Sequence, residues 1–293
     1  MKSALVQVGL AALLASATPG VSAERVQIAV PGGTALTAHW MPRPDGGRAP
    51  AVVALHGCSG LYERRGTAFD PRYPDYVERL HRAGFHVLLP DRFGSRGYGS
   101  ICTIAAGQRT ITVETRRDDA IAAVAWLAQR ADVDPQRIAL LGWSNGATTT
   151  LSALNAARTT RAQPVAAAIV FYPGCSAFVK RRFQLETPLL MLLGEKDDWT
   201  PPARCLELAE RTRAHRPDID LTVRVFPDSH HGFDTQRPVR FRADVPAGPD
   251  GKGVHVGGNA ASRAAALGDV EAFLAAHLGA GRVPAAASAA PPR

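Results

Sequence analysis

The chain is poor in cysteine, poor in aromatic residues and, past its first two dozen positions, without a long apolar run. Each scarcity removes a class of protein. The four cysteines, Cys58, Cys102, Cys175 and Cys205, form no C-x-x-C pair. The three histidines nearest one another, His215, His230 and His231, lack regular metal-ligand spacing with them, so neither a metal site nor a dithiol redox centre is expected. Aromatic residues make up 6% of the sequence and do not interleave with the short basic clusters Arg64-Arg65, Arg116-Arg117 and Lys180-Arg181-Arg182. The formal charge of +8 therefore reads as a solvated surface, with no nucleic-acid partner expected. A membrane span needs roughly 20 apolar residues, and no segment after the amino terminus supplies them, so the mature protein is expected to be soluble.

The amino terminus itself has a recognisable pattern: Lys2, an apolar run over residues 4–15 and the small residues Val21-Ser22-Ala23 before Glu24. This is the layout of a secretory signal peptide spanning residues 1–23, with Pro19-Gly20 ending the apolar stretch short of a membrane anchor. The protein is expected to be exported, periplasmic or secreted. Loss of Lys2 with the signal lowers the charge from +8 to +7. The remaining chain of about 270 residues suits one domain with a sizeable core, assigned to residues 24–279. Residues 280–293, mostly alanine, proline and glycine, have little to bury and are expected to be a disordered tail. Export makes disulfides chemically possible, and four cysteines leave three pairings open.

Between these ends the sequence alternates β-rich apolar runs with amphipathic runs of helical period, the pattern of an α/β fold with helices on both faces of a mainly parallel eight-stranded sheet. Strands are expected over residues 25–30, 35–41, 50–55, 86–90, 137–142, 165–172, 188–194 and 221–226, and helices over 74–83, 113–130, 145–156, 202–214 and 262–278. Two stretches, 93–108 and 238–259, are rich in glycine with serine or proline and read as long loops of the kind that shape a binding site.

The sharpest local signal is Gly142-Trp143-Ser144-Asn145-Gly146, directly after an expected strand and opening an expected helix. A sharp strand-to-helix turn would push Ser144 into a strained conformation clear of the sheet, and the flanking glycines let neighbouring chain pack without a Cβ clash. A serine hydroxyl needs a base, and that base needs an orienting carboxylate, in the chain order Ser, Asp or Glu, His. Asp197-Asp198 follow the strand over 188–194, and His230-His231 follow the strand over 221–226. Asp197 and His231 are preferred, the latter because Gly232 frees the loop to turn the ring inward. A helix-capping turn at Asp197-Asp198, or a weak metal site at the two histidines, is the plainer reading of each pair. The glycine turn His56-Gly57-Cys58-Ser59-Gly60 after the strand over 50–55 could bring the Cys58 N–H together with that of Asn145 as an oxyanion hole.

At these positions the chain resembles the dienelactone hydrolase family of α/β-hydrolases, over about residues 50–278. The resemblance is carried by Leu55 to Gly60, by Leu89-Pro90-Asp91-Arg92-Phe93-Gly94-Ser95-Arg96-Gly97, by Gly142 to Gly146, by Phe171-Tyr172-Pro173-Gly174-Cys175, by Gly194 to Pro201 and by His230-His231-Gly232-Phe233-Asp234. It implies the same Asp197 and His231, and it implies disulfides between Cys58 and Cys102 and between Cys175 and Cys205. Members that open dienelactones use a cysteine where Ser144 stands, a glutamate near the nucleophile and arginines that hold the substrate carboxylate. Here the thiolate route is closed and no such glutamate is found in residues 57–61. Arg92 and Arg96 are candidates for binding an acidic group, and Trp143 beside the nucleophile is a further candidate substrate contact. The expected activity is hydrolysis of a small carboxylic ester, or a lactone, through an acyl-enzyme and without a cofactor. A peptidase or acyltransferase on the same residues, or a silent binding protein on the same scaffold, is the competing reading.

Overall fold

The computed structural model describes residues 23–64, 66–160 and 162–279. Apart from Ala23, the expected signal peptide lies outside them, as does the expected tail over residues 280–293. Eight strands, β1 (Glu24–Ile28), β2 (Leu36–Met41), β3 (Ala49–Leu55), β4 (His86–Pro90), β5 (Val133–Trp143), β6 (Ala167–Phe171), β7 (Leu189–Gly194) and β8 (Leu221–Phe226), form one sheet in the order β1-β2-β4-β3-β5-β6-β7-β8. From β4 to β8 every neighbouring pair is parallel; β1 and β2 add an antiparallel edge, so the sheet is mixed. Strands β3, β4, β6 and β7 are buried at every position, which is why they read as unbroken apolar runs: helices cover both of their faces.

Those helices are α1 (Arg72–Arg82), α2 (Val113–Ala128), α3 (Asn145–Leu154), the single turn α4 (Ser176–Val179), α5 (Ala203–His215) and α6 (Ala260–Leu278). Side chains alternate along each strand between two cores. Ala51, Val53 and Leu55 of β3 with Ile138 and Leu140 of β5 pack against Leu127, Leu151 and Leu208 of α2, α3 and α5. Val52, Ala54, Leu141 and Trp143 pack against Tyr76, Leu80, Val270 and Leu274 of α1 and α6. Each fully buried Leu or Val contributes about 1.5–3 kcal/mol. Capping fixes where helices begin: the Thr112 hydroxyl accepts the Thr115 N–H at 3.1 Å before α2, and Asn259 Oδ1 accepts the Ser262 N–H at 3.2 Å before α6. Gly279, with φ of 57°, ends α6 in the left-handed conformation.

Strand β3 has β4 on one side and β5 on the other. The connections that follow β3 and β5 therefore leave the sheet in opposite directions and open a crevice at its carboxyl edge, where sites in such sheets form. The stretch 93–108 is a loop with two short 3-10 turns, Gly94–Arg96 and Ala106–Gln108. The stretch 238–259 differs from expectation: it carries an antiparallel pair, β9 (Arg240–Arg242) and β10 (Val254–Val256). Three residues per strand are too few for a period of two to register, and the surrounding glycines read only as turn signals. Among the described residues, no helix is long and apolar enough to cross a membrane.

Candidate active site

Ser144 stands at the turn between β5 and α3 with φ of 52° and ψ of −111°, a conformation that costs a non-glycine residue free energy and persists only because its surroundings impose it. Its N–H donates to Phe171 O at 2.9 Å, and its carbonyl accepts the Thr148 N–H at 2.9 Å, so neighbouring strand and following helix both grip the turn. A Cβ on Gly146 would lie 1.8 Å from Leu55 O, and one on Gly142 would lie 2.5 Å from Gly146 O. Both glycines are there because backbone meets backbone. Gly146→Ala is accordingly expected to destabilise the fold by at least ~3 kcal/mol, since neither contact can swing aside. That should lower the melting temperature by about 6–12 °C in a domain of this size. An unchanged melting curve would mean that β3 and α3 do not approach so closely.

The loop after β7 brings Asp197, and the loop after β8 brings His231, to this turn. His231 Nε2 lies 2.8 Å from Ser144 Oγ, and His231 Nδ1 lies 2.8 Å from Asp197 Oδ2. Asp197 also accepts the N–H groups of Trp199 and Thr200 at 2.9 Å each, and the Thr200 hydroxyl at 2.9 Å. Burial pushes its carboxyl up, but His231 beside it and the bonds from His231 and Thr200 outweigh this and hold it below the usual carboxylate range. The imidazole is packed between two rings, Tyr172 at 4.5 Å and Trp199 at 4.7 Å between centroids. Tyr172 is itself fixed, with its hydroxyl donating to the buried Asp234 Oδ1 at 2.6 Å, and Arg72 pairs with the same carboxylate at 3.3 Å. Thr200, Tyr172 and Trp199 escaped sequence reasoning as site residues, because nothing in their spacing marks them; only their position beside matched motifs does.

The neighbours of the two preferred residues point elsewhere. Asp198 binds His255 of β10, with Oδ2 2.7 Å from Nδ1 and Oδ1 accepting the His255 N–H at 2.9 Å. His230 Nδ1 lies 3.0 Å from Lys196 O. The hairpin is also tied to the histidine loop, since the Gly257 N–H donates to His231 O at 2.9 Å.

Cys58 and Asn145 line, together with Ser144, a cavity of about 600 Å³. The Asn145 N–H opens helix α3 and has no intrahelical acceptor. Neither that group nor the Cys58 N–H donates to a protein carbonyl among the described residues. Cys58 is joined to Cys102, and Cys175 to Cys205. The first bond ties the glycine turn after β3 to the 93–108 loop, and the second ties the loop after β6 to α5. Ser144 also borders a smaller cavity of about 140 Å³, lined by His231, Tyr62 and Arg240 among others.

The three residues expected to touch substrate line neither of these two cavities. Arg92 is fully buried, with Nη1 donating to Thr149 Oγ1 at 2.9 Å and Nη2 to His56 O. Arg96 is committed to Asp119, which it holds by two bonds of 2.7 and 3.0 Å. Trp143 has no exposed surface: strand alternation turns it to the α1 and α6 side, edge-on to Tyr76 at 4.8 Å and Tyr73 at 5.6 Å. Different arginines face the larger cavity, namely Arg109, Arg116, Arg117, Arg158 and Arg181, against the single acid Glu114. Of these only Arg117 has an ion pair among the described residues, with Asp118 at 2.9 Å.

Known proteins share both the sequence pattern and the fold. A Bradyrhizobium sp. protein named "Probable 2-oxo-3-(5-oxofuran-2-ylidene)propanoate lactonase" is 27% identical over 245 residues, covering 76% of this chain and 90% of that protein. A dienelactone hydrolase from Anabaena variabilis superposes with a TM-score of 0.59 at 16% identity, covering 88% of this chain and 98% of that one. A dienelactone hydrolase-like promiscuous phosphotriesterase from metagenomic libraries superposes with a TM-score of 0.63 at 18% identity, covering 87% and 98%. A puromycin-hydrolyzing peptidase of Mycobacterium tuberculosis gives 0.61 at 18% identity, covering 90% of this chain and 42% of that one. At such identities the structures speak for the α/β-hydrolase fold alone. The sequence profile described as "Dienelactone hydrolase family" matches residues 38–278, most of the chain, and this hydrolase belongs to that family.

Proposed function

We propose that this hydrolase cleaves carboxylic esters, lactones among them, by acyl transfer through Ser144, and that the acyl group carries negative charge. The observation that carries the reading is the unbroken line Asp197–His231–Ser144, two contacts of 2.8 Å, ending at an open cavity. In the first step His231 Nε2 takes the Ser144 proton as Oγ attacks the carbonyl carbon. The N–H groups of Cys58 and Asn145 receive the developing oxyanion, and Asp197 holds the imidazolium that forms. His231 then gives its proton to the departing alkoxide. Water, deprotonated by the same nitrogen, attacks the acyl-enzyme, and the acid leaves as Ser144 regains its proton.

The acidic acyl group follows from electrostatics. Arg109, Arg158 and Arg181 face the larger cavity without an ion pair among the described residues, and a cleft lined by one sign of charge draws in the opposite sign. The Bradyrhizobium relative is named for a lactone that bears a propanoate. Two disulfides suit an oxidising compartment, which supports export of the chain.

The test is a matched panel: p-nitrophenyl butyrate against mono-p-nitrophenyl glutarate, with a lactone and a p-nitroanilide beside them, and a fluorophosphonate to label Ser144. The glutarate ester is expected to have a kcat/KM about tenfold higher at low salt, and the advantage should shrink as sodium chloride rises and screens the guanidinium groups that face the cavity. Equal values for the two esters would remove the acidic acyl group from the proposal. Faster cleavage of the anilide than of either ester, or no labelling of Ser144, would overturn the esterase reading itself.

A further inference from the structure

Behind the turn that holds Ser144 lies a buried polar chain that the acyl-transfer steps do not use. It begins at the peptide joining Gly57 to Cys58. His56 Nδ1 lies 2.8 Å from Gly57 O, and His56 Nε2 lies 3.2 Å from the Arg92 backbone nitrogen, whose N–H it accepts; the ring is thus assigned as neutral with its hydrogen on Nδ1. Burial, then the neighbouring Arg92 charge, push that imidazole well below its ordinary range, which agrees with the assignment. Gripping the Gly57 oxygen fixes the plane of the peptide whose other end is the Cys58 N–H.

Arg92 carries the chain onward. Its guanidinium donates to His56 O and, at 2.9 Å, to Thr149 Oγ1. Arg116 Nη1 approaches the same hydroxyl from α2 at 3.0 Å and also donates to Asn145 Oδ1 at 2.7 Å and Asn145 O at 3.1 Å. The hydroxyl hydrogen of Thr149 goes to Asn145 O at 2.9 Å, so one threonine accepts from two cations and donates to the residue after the nucleophile. An unbroken run of hydrogen bonds therefore connects the Cys58 peptide to Asn145.

This arrangement is costly. Arg92 and Arg116 are 0% and 4% exposed, and the nearby carboxylate of Asp119 is already held by Arg96. Burial, then the charges of Arg92 and Arg109, push Arg116 down to about 9, as befits a buried cation with no carboxylate bonded to it. Two like charges meeting over one hydroxyl oppose folding, and such local costs gather where function requires a fixed geometry.

We propose that Arg92 and Arg116, bridged by Thr149, are positioning residues that hold the Cys58 and Asn145 N–H groups at the separation an oxyanion requires. The inference rests on the serine acyl-transfer reading above. Thr149→Val keeps the volume and both charges but removes the bridge; Thr149→Ser keeps the bridge; Arg116→Met removes one arm. For Thr149→Val and Arg116→Met we expect kcat on p-nitrophenyl acetate to fall about 10- to 100-fold with KM within about threefold, because a misplaced donor is felt in the transition state and not in ground-state binding. Fluorophosphonate labelling of Ser144 should slow by the same factor. Thr149→Ser should stay within about threefold of wild type, and the double variant should lose no more than the worse single, since both cut one connection. Circular dichroism and melting curves confine the comparison to folded protein, and Thr149→Val carries the test if Arg116→Met does not fold. Folded Thr149→Val with unchanged kcat, a rise in KM at constant kcat, or labelling at the wild-type rate would reduce the bridge to packing. Failure of the wild type to label at Ser144 would instead remove the acyl-transfer reading on which it rests.

Discussion

Ser144→Ala is expected to lower kcat on short p-nitrophenyl esters by a factor on the order of 10⁵–10⁶, with the melting temperature changed by no more than a few degrees. The separation of the two effects comes from the bonds at this residue. Its structural hydrogen bonds are made by backbone, N–H to Phe171 O and carbonyl from the Thr148 N–H, both 2.9 Å, and alanine keeps them. Alanine also keeps a Cβ, so the strain of the positive φ is unchanged. What is lost is the one atom 2.8 Å from His231 Nε2. Residual turnover above about one per cent, in protein shown by mass to carry the substitution, would place the nucleophile elsewhere.

The same residue shows what a sequence can reveal. Gly142, Ser144 and Gly146 are legible because each answers a backbone demand that only a few residue types meet: two close approaches and a strained turn. The order of strands and helices is legible for a related reason, since burial on both faces writes itself as unbroken apolar runs and helix burial as a 3.6-residue period. Side-chain direction is not written that way. Arg92 and Arg96 sit in a matched motif, yet one turns into the interior toward Thr149 and the other toward Asp119, while Arg109 and Arg181, in stretches with no period at all, reach the cavity. Trp143 is a candidate only by its adjacency to Ser144, and in a strand adjacency means the opposite face. The bridge from His56 to Asn145 joins residues from four separate parts of the chain, and no spacing rule could have connected them.

Adjacent carboxylates give the sharpest remaining contrast. Asp197→Asn is expected to reduce kcat by about 10⁴-fold, whereas Asp198→Asn should cost less than about tenfold. Asparagine at 197 can still accept the Trp199 and Thr200 N–H groups through its carbonyl oxygen, so the loop should survive. Its amide nitrogen would then face His231 Nδ1, where the carboxylate oxygen now stands at 2.8 Å. A donor there forces the ring hydrogen onto Nε2, which the proposed acyl transfer needs bare to take the proton of Ser144, and it removes the negative charge that in that proposal steadies the imidazolium. Asp198 spends its oxygens on His255 instead, so its loss loosens the hairpin and leaves the imidazole oriented. Equal losses in the two variants would show that anchoring the hairpin matters as much as orienting the base. The reverse order would transfer the orienting role to Asp198 and contradict the contact seen between Asp197 and His231.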